Sequence, residues 1–180
     1  MSVVPFPLSG ARGRARPAPA FADAASAERR LAVYRYLVHV TGDRALAEDL
    51  TQETFEHGLR AWASYDARRG TPTSWLLAIA RRVHLDHLRA ERRRRGREAR
   101  YAALEDPASA PPEGPSELSP ALRTALSGLS ASEREILALR VVLGLTGGEA
   151  ASVLGISPSA CSTALHRAMT RLRAEVSRDA

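Results

Sequence analysis

Residues 71–97 read TPTSWLLAIARRVHLDHLRAERRRRGR, and this stretch decides the fold of the N-terminal half of the chain. Thr71 is a typical helix N-cap residue, and Pro72 suits the first turn, where its missing N–H leaves no bond unmade. Apolar side chains then recur at steps of three and four residues, which predicts one buried helical stripe. The stripe consists of Trp75, Leu76, Ile79, Val83 and His87. Arginines cover the remaining surface, so we predict a helix that is anchored in a small domain and faces a polyanion.

The charged residues of this helix are spaced for ion pairs with one another. Arg82, Asp86 and Arg89 stand at i,i+4 and i,i+3 positions, and such pairs stabilise a helix by about 0.2–0.5 kcal/mol each. Asp86 next to His84 and His87 could suggest a catalytic or metal-binding cluster. However, the two arginines account for Asp86, and His87 falls on the apolar stripe. We therefore predict no catalytic residue, no metal site and no cofactor.

The composition favours a nucleic-acid partner. The 180-residue chain has 26 basic and 20 acidic residues, for a net charge of +6, and every basic residue is arginine. Arginine binds phosphates and base edges through a planar fork of donors. The absence of lysine is typical of a GC-rich genome, but a GC-rich genome does not explain why the arginines are clustered.

Other features limit the compartment and the covalent chemistry. Cys161 is the single cysteine, so no disulfide framework is expected, and its apolar position predicts a buried side chain rather than a redox sensor. No apolar run approaches the roughly 18 residues of a membrane span. The apolar residues 3–8 contain prolines and precede Arg12, Arg14 and Arg16, which is the wrong order for a signal peptide. We expect a soluble, cytoplasmic protein.

Composition also divides the chain into two helical domains. Residues 1–20 are rich in Pro, Gly, Ala and Arg, which predicts a disordered basic tail. Residues 98–120 contain five prolines among Glu, Ser and Gly, which predicts a semi-extended linker. Helical patterns fill residues 21–97 and 121–178. The predicted fold is therefore all-α, with two small helical domains joined by a Pro-rich linker.

Two further helices are predicted in the first domain. One covers about residues 23–40 and is ended by Gly42, and Asp43 is placed to cap the other, which covers residues 44–62. The residues expected to face inward on the first of these helices are Leu31, Tyr34 and Val38. Those on the second are Leu46, Leu50, Phe55, Leu59 and Trp62.

An acidic stripe runs along the second of these helices. Asp49, Gln52, Glu53 and Glu56 follow an i, i+3, i+4, i+7 pattern, so they share one helical face. Most such stripes are simply solvated faces. The alternative is a docking surface for a basic or polar partner helix. From these residues alone, both interpretations stay open.

The C-terminal part carries helix start and stop signals throughout. Leucines at three- and four-residue steps predict a helix over residues 121–129, and Ser130 with Glu133 fits a capping box for the next helix, which Gly144 ends. A short helix over residues 147–154 follows.

The turn at residues 155–157 then leads to a long helix that Pro158 opens and that ends near Val176. A short helix, a three-residue turn with glycine and a second helix are typical of a helix-turn-helix, with a plain helical hairpin as the alternative. Its expected core consists of Ala150, Val153, Leu154, Ile156, Cys161, Leu165 and Met169.

Three segments of the chain, taken in order, resemble the sigma-70 family of bacterial RNA polymerase sigma factors in its compact extracytoplasmic-function form. ALAEDLTQETF (45–55) is similar to the core-polymerase-binding segment of that family, and WLLAIARRVHLDHLR (75–89) to its minus-ten segment. LSASEREILALRVVLGLT (129–146) together with LGISPSACSTALHRA (154–168) is similar to its minus-thirty-five domain. The resemblance covers nearly all of the chain outside the tail and the linker.

The resemblance implies roles for particular residues. The residues that would dock on the clamp helices of the largest subunit of core RNA polymerase are Asp49, Gln52, Glu53 and Glu56. The loop over residues 65–73 would capture a base flipped from the melted strand. Those that would contact the minus-ten element are Arg68, Arg69, Thr73, Arg81, Arg82, Arg89, Arg92 and Arg93. The run Arg92–Arg95 would continue along phosphates or along the path of the nascent RNA.

The second domain would insert residues 159–171 into the major groove of the minus-thirty-five element. The residues implied there are Ser157, Ser159, Ser162, Thr163, His166, Arg167 and Arg171. The family usually has GTVKSR where this chain has SACSTA (159–164), so one lysine and one arginine are missing. The family also often has asparagine in place of Arg82. We therefore expect altered minus-ten reading and weaker minus-thirty-five recognition, carried by the remaining basic residues, Arg173 included.

The implied function is that of a promoter-specificity subunit, which recruits core polymerase and melts DNA without chemistry of its own. The alternative is a sigma-like or free-standing helix-turn-helix regulator, which would dimerise on a palindromic site and leave the acidic stripe without a role. The resemblance also implies an anti-sigma factor as a partner, and no insertion into a membrane.

Overall fold

The helix-forming patterns of the sequence become seven α-helices in the computed structural model, which describes residues 21–101, 126 and 128–178. The N-terminal group comprises α1 (Phe21–Ala24), α2 (Ala27–Thr41), α3 (Arg44–Ala61) and α4 (Pro72–Tyr101). The C-terminal group comprises α5 (Ala131–Leu137), α6 (Gly147–Leu154) and α7 (Pro158–Arg178). The all-α prediction is confirmed. The predicted tail and most of both the predicted linker and the predicted helix over residues 121–129 lie outside the described residues. In the described part, no helix has the length and hydropathy to cross a bilayer.

The predicted caps set the helix boundaries of the N-terminal group. Gly42 adopts the left-handed conformation (φ 71°), and its N–H donates to the carbonyl of Val38 at 2.9 Å, which ends α2. The Asp43 carboxylate accepts a backbone N–H of the first turn of α3 at 3.1 Å. Thr71 Oγ1 does the same for α4 at 3.2 Å. These local signals act on neighbouring residues only, which is why the sequence predicts them well.

The helix predicted over residues 23–40 is instead two elements. Ser26 interrupts it, and its hydroxyl accepts the N–H of Arg29 at 3.4 Å, so α2 starts anew at Ala27. The inward position predicted for Leu31 is wrong, since this side chain is 46% exposed. Tyr34 is only half-buried. The residues of α2 that are buried are Val33, Tyr36, Leu37 and Val38.

The buried face of α3 also differs from the prediction near its end. Leu59 was expected to face inward and is 61% exposed, whereas the neighbouring Gly58 is buried. A Cβ atom on Gly58 would lie 3.1 Å from Leu76 Cδ2 and 3.2 Å from the Phe21 ring, so the missing side chain lets α3 approach α4 closely. A 3₁₀ turn, Trp62–Ser64, follows α3.

The buried face of α4 is wider than the predicted stripe. Leu76 and Val83 are buried as expected, and the other three residues of the stripe are half-buried. Leu77 and Ala80 are fully buried although they lie beside it. The reason is that α4 packs against α2, α3 and α6 at once, so apolar residues on more than one side lose contact with water.

The C-terminal group has two capping boxes, of which one was predicted. Ser130 and Glu133 exchange the expected hydrogen bonds at the start of α5. Thr146 and Glu149 form an equivalent box at the start of α6. A π-helical turn, Ala138–Val142, extends α5 toward Gly144, whose positive φ (66°) ends this segment as predicted.

The helix-turn-helix prediction agrees with the fold of α6 and α7. Gly155 makes the left-handed turn (φ 69°), and Ser157 Oγ accepts the N–H of Ala160 at 3.2 Å to start α7. Ile156 was expected in the core and is 40% exposed, because the turn directs it outward. The residues that fill the core of this motif include Ala150, Ala151, Val153, Cys161 and Ala168.

The two groups of helices share one hydrophobic core. Tyr36 and Leu37 of α2 are fully buried in the same cluster as Ile136 of α5 and Leu139 of the π turn. Contacts of α6 with α4 and of α5 with α2 bring the groups together. The surfaces predicted to bind partners are therefore arranged around a common interior.

Candidate functional site

The predicted acidic stripe lies on the solvent-facing side of α3. The four side chains of this acidic face are exposed, namely Asp49, Gln52, Glu53 and Glu56. Packing fixes this orientation, because Leu50 and Phe55 are buried on the opposite side. The buried hydroxyl of Thr54, between them, donates to the carbonyl of Leu50 at 2.7 Å. The acidic face is thus held rigidly while its own side chains remain available.

Neighbouring side chains partly order the acidic face. Gln52 Nε2 donates to Glu56 Oε1 at 3.4 Å, and Arg60 donates to the other oxygen of Glu56 at 3.1 Å. His57 Nε2 lies 3.6 Å from Glu53 Oε1. Because these pairs are exposed, each contributes little to stability. The face therefore has negative charge to offer to a basic or polar partner.

An aromatic cluster supports the loop between α3 and α4, and the sequence analysis did not find it. Trp62 and Tyr65 stack with ring centroids 4.6 Å apart and an interplanar angle of 7°. Trp75 meets both rings edge-on, at 5.4 Å and 5.7 Å. The Tyr65 hydroxyl donates to the carbonyl of Gly70 at 3.0 Å, which ties the two ends of the loop together. Phe21 completes the cluster at 5.5 Å from Trp62.

The loop carries two exposed arginines on this aromatic base. Arg68 donates through its backbone and its guanidinium to Asp66 at 3.0–3.1 Å, and these bonds hold the pKa of Asp66 below its usual value. Arg69 is exposed beside it, and Thr73 is half-buried in the first turn of α4. The predicted loop residues are therefore brought together at one end of α4.

A cationic face runs along α4 beyond the core. The exposed arginines of this face are Arg82, Arg89, Arg92 and Arg93. The predicted ion pairs are confirmed, with Asp86 at 3.8 Å from Arg82 and 2.6 Å from Arg89. Glu91 accepts from Arg94 and Arg95 at 2.8–3.1 Å, which lowers the pKa of Glu91 to about 2. Arg92 and Arg93 take part in none of these pairs, so they present their charge to solvent.

Arg81 departs from the set of predicted DNA contacts. Its guanidinium turns toward the C-terminal group and donates to Glu135 Oε1 at 2.8 Å. The two side chains are only 29% and 14% exposed. In this structure Arg81 therefore bridges the two groups of helices and does not belong to the cationic face.

The predicted recognition residues all lie on the exposed side of α7 and its preceding turn. They are Ser157, Ser159, Ser162, Thr163, His166, Arg167 and Arg171. Their hydroxyl protons are largely used within the helix, since Ser162 donates to the carbonyl of Pro158 at 3.1 Å and Thr163 to that of Ser159 at 3.0 Å. Arg171 lies 3.4 Å from Glu133 of α5. His166 and Arg167 are therefore the principal side-chain donors left on this surface.

The candidate sites of this structure are exposed surfaces. Among the described residues, no three His, Cys, Asp or Glu side chains are grouped to hold a metal ion. Cys161 is buried and unpaired by any disulfide, as its apolar position predicted. The acidic face of α3, the loop with the cationic face of α4, and the recognition surface of α7 are thus the three candidate sites.

Comparison with known families and proteins gives two family-model matches and relatives that align over most of the chain. The family model for sigma-70 region 2 matches residues 27–94, and the model for sigma-70 region 4 matches residues 119–172. The chain is 34% identical over 180 residues to the ECF RNA polymerase sigma factor SigC of Mycobacterium tuberculosis. That alignment covers 99% of this chain and 93% of the relative.

Two solved structures share the helical fold. The sigma factor RpoE from Bartonella quintana, in complex with the anti-sigma factor NepR, matches 85% of this chain and 94% of its own with a TM-score of 0.63 and 24% identity. CnrH, in complex with the cytosolic domain of CnrY, matches 86% of each chain with a TM-score of 0.60 and 25% identity.

Proposed function

Because the chain belongs to the sigma-70 family, in its extracytoplasmic-function group, we propose that the three surfaces described above are the ones through which it directs promoter-specific transcription. As a sigma factor it binds core RNA polymerase and brings it to promoters. The single observation that supports the assignment of surfaces is that region 2 and region 4 coincide with the two helix groups that carry them. We also propose the predicted boundaries, with a tail over 1–20, domains over 21–97 and 121–178, and a linker over 98–120.

The acidic face of α3 is the proposed docking surface for the clamp helices of the largest polymerase subunit. Its four side chains are exposed on one side of a helix whose other side is buried, so they can meet a partner without unfolding α3. Charge complementarity of this kind steers association and fixes the register of an interface. Of the two interpretations that the sequence left open for the acidic stripe, a solvated face and a docking surface, this proposal adopts the docking surface.

The loop between α3 and α4, with the cationic face of α4, is the proposed minus-ten surface. Exposed arginines on a rigid helix neutralise phosphates and release counterions, which favours binding to any duplex. The aromatic cluster under the loop keeps its backbone in a fixed shape for an extruded base. Extrusion of a base costs a few kcal/mol and is easiest where the duplex is already opening.

The recognition surface of α7 is the proposed minus-thirty-five reader. A helix-turn-helix places its second helix in the major groove, where side chains meet base edges. His166, Arg167 and Arg173 are exposed on α7, and these side chains carry the contacts to phosphates and base edges that remain. The protein itself provides no reaction chemistry, since the sigma-70 family consists of non-catalytic initiation factors.

Regulation by an anti-sigma factor in the cytoplasm is the proposed cellular setting. RpoE was solved with the anti-sigma factor NepR, and CnrH with the cytosolic domain of CnrY. Purification of the tagged protein from its native cells should recover such an inhibitor in stoichiometric amount. Recovery of core polymerase alone, under every growth condition sampled, would argue against an inhibitor.

Binding experiments separate this function from its alternative. The protein should co-elute with core polymerase on a sizing column and bind promoter DNA tightly only as that complex. A dimer that binds a palindromic duplex and ignores polymerase would instead identify a free-standing regulator. A parallel run with another sigma factor shows that the core polymerase preparation is able to bind a sigma factor.

Restoring the missing basic residues of α7 should steepen the salt dependence of DNA binding. In the double variant Ser162→Lys with Ala164→Arg, we expect the slope of log K against log salt to grow by about 0.9–1.8, because each phosphate contact adds about 0.9. Ser162 is exposed, whereas Ala164 is half-buried against the core, so lysine should give the larger share. The slope is measured by titrating the complex with polymerase onto promoter DNA.

Ser177→Lys is the control for the lysine of this variant, because it adds one positive charge at an exposed position about 22 Å along α7. It should leave the slope unchanged. If the unmodified protein already has a slope as steep as that of the double variant, the proposed weakening of minus-thirty-five recognition is wrong.

A further inference from the structure

The N-terminal corner, formed by α1 and the first turn of α2 (residues 21–30), packs against the aromatic cluster of the loop between α3 and α4. Phe21 of α1 meets the ring of Trp62 edge-on at 5.5 Å and the ring of Phe55 at 6.4 Å. Trp62 is in turn stacked on Tyr65, the first residue of the loop, at 4.6 Å. The N-terminal corner therefore lies next to the loop that we propose for the minus-ten element.

Two arginines of this corner are held in place by their neighbours. Arg29 Nη1 donates to the carbonyl of Asp23 at 2.5 Å and to Ser26 Oγ at 3.3 Å. The guanidinium carbon of Arg30, an exposed residue, lies 5.3 Å from the centroid of the Phe55 ring, which is a cation–π contact. Because these contacts already restrict both side chains, less conformational freedom is lost when their guanidinium groups bind a ligand.

The charge of Arg29 acts on the loop. Burial raises the pKa of the Tyr65 phenol above its usual value, and the positive charge of Arg29 opposes this rise. A charge shifts a pKa in this way only from nearby, so the guanidinium of Arg29 lies close to the loop. The carboxylates of Asp23 and Glu28 are exposed at the same corner and limit its net charge. The two fixed guanidinium groups, and not a general positive field, are therefore what this corner offers to an anion.

The direction of α4 indicates which part of a promoter the N-terminal corner faces. From the loop, α4 runs about 30 Å to Arg92, and the chain after it leads to the helices that we propose for the minus-thirty-five element. That element lies upstream of the minus-ten element, so the far end of α4 points upstream and the loop end points downstream. The corner adjoins the loop end, and it therefore faces DNA downstream of the captured base.

We propose that Arg29 and Arg30 form a binding site for phosphates of the melted strand immediately downstream of the minus-ten element. A guanidinium group binds a phosphate through two parallel N–H donors, and it does so without reading the base. The site extends the DNA-binding surface past the loop and holds the strand after its captured base. This inference rests on the proposed function, because it assumes that the loop holds the melted strand.

Binding of single strands to the complex of this protein with core polymerase tests the site. The probe is the sequence that this complex enriches most from a single-stranded library of random 12-mers, and five thymidines are then added to its 3′ or its 5′ end. The 3′ extension should raise the affinity of the unmodified complex at least fivefold. In Arg29→Gln with Arg30→Gln this gain should shrink at least threefold, while the gain from the 5′ extension stays. For the 3′-extended probe, the slope of log K against log salt should be flatter by about 1.4, since each phosphate of a single strand contributes about 0.7.

Two further variants separate the site from other effects. Arg30→Gln alone keeps the hydrogen bonds of Arg29 to α1 and should flatten the slope by about 0.7. Arg35→Gln with Arg44→Gln removes two exposed positive charges from other parts of α2 and α3 and should keep the full gain from the 3′ extension. Circular dichroism checks that each variant is folded.

The possible outcomes distinguish this inference from the proposed function. An undiminished 3′ gain in the folded double variant would overturn the site, and so would an equal loss in the charge control. Loss of the 5′ gain instead would overturn its downstream position. If the unmodified complex enriches no sequence at all, the proposed minus-ten surface is itself wrong, and the site falls with it.

Discussion

The double variant Asp49→Arg with Glu53→Arg should bind core RNA polymerase at least a hundredfold more weakly than the unmodified protein. Both side chains are exposed on the acidic face of α3, one helical turn apart. Reversing their charge places like charges opposite one another across the proposed interface, which costs several kcal/mol. Each 1.4 kcal/mol corresponds to a tenfold change in affinity. Titration of labelled core polymerase measures the dissociation constant.

The fold should tolerate this change, because neither side chain takes part in the core. The Glu53 contact with His57 is long, at 3.6 Å, and about half exposed at each partner. The matched control is Asp23→Arg with Glu28→Arg, which changes the net charge by the same amount at exposed positions of α1 and α2. The control should bind like the unmodified protein. A loss of less than threefold in the α3 variant would show that the acidic face is only a solvated surface.

The double variant Arg92→Gln with Arg93→Gln should bind promoter DNA on the order of fiftyfold more weakly at 0.1 M salt, when measured as the complex with polymerase. Both arginines are exposed on the cationic face. The neighbouring Glu91 forms its ion pairs with Arg94 and Arg95 and not with these two arginines. Loss of two phosphate contacts should flatten the slope of log K against log salt by about 1.8. Fluorescence anisotropy between 0.05 and 0.2 M salt, a range in which such contacts are strongly weakened, measures both quantities.

The control for the cationic face is Arg35→Gln with Arg44→Gln, which removes two exposed positive charges from α2 and α3. Its salt slope should match that of the unmodified protein if position, and not total charge, decides the effect. Equal flattening in both variants would mean that α4 has no special role. An unchanged slope in the α4 variant would place the phosphate contacts elsewhere.

Local sequence signals predicted most of the fold because they act over a few residues. Capping by Asp43, Thr71 and Ser130 depends on the hydrogen bonds of a single turn, so residue type and position suffice. The same is true of Gly42 and Gly155, which supply the left-handed conformation at a helix end. These local signals are sufficient to predict the boundaries of α3 and of the helix-turn-helix without knowledge of the packing.

Periodicity was less reliable where a helix has several neighbours. Leu31, Leu59 and Ile156 are apolar and were expected inside, yet each is at least 40% exposed. At Gly58 the side chains of Leu76 and Phe21 fill the space that a side chain at this position would need, and apolar periodicity carries no information about that arrangement. The wide buried face of α4 has the same origin, because three helices surround it.

Among the features of the candidate sites, those with a local sequence signal were predicted and those without one were missed. The acidic face of α3 and the arginines of α4 repeat at helical spacing, so the sequence grouped them on common faces. The pairing of Arg81 with Glu135, 54 positions away, has no local signal and was missed. The stacking of Trp62 on Tyr65 was missed for a local reason. The 3₁₀ turn between these residues breaks the helical period on which the prediction relied.

Run-off transcription measures whether the protein directs promoter-specific initiation. Core RNA polymerase is incubated with a genomic promoter library, with and without this protein, and the RNA start sites are mapped. We predict start sites that appear only with the protein and share a minus-ten element, together with a degenerate minus-thirty-five element. The same core preparation with a different sigma factor confirms that the polymerase is active. If this protein then yields no new start sites, it does not act as a promoter-specificity subunit.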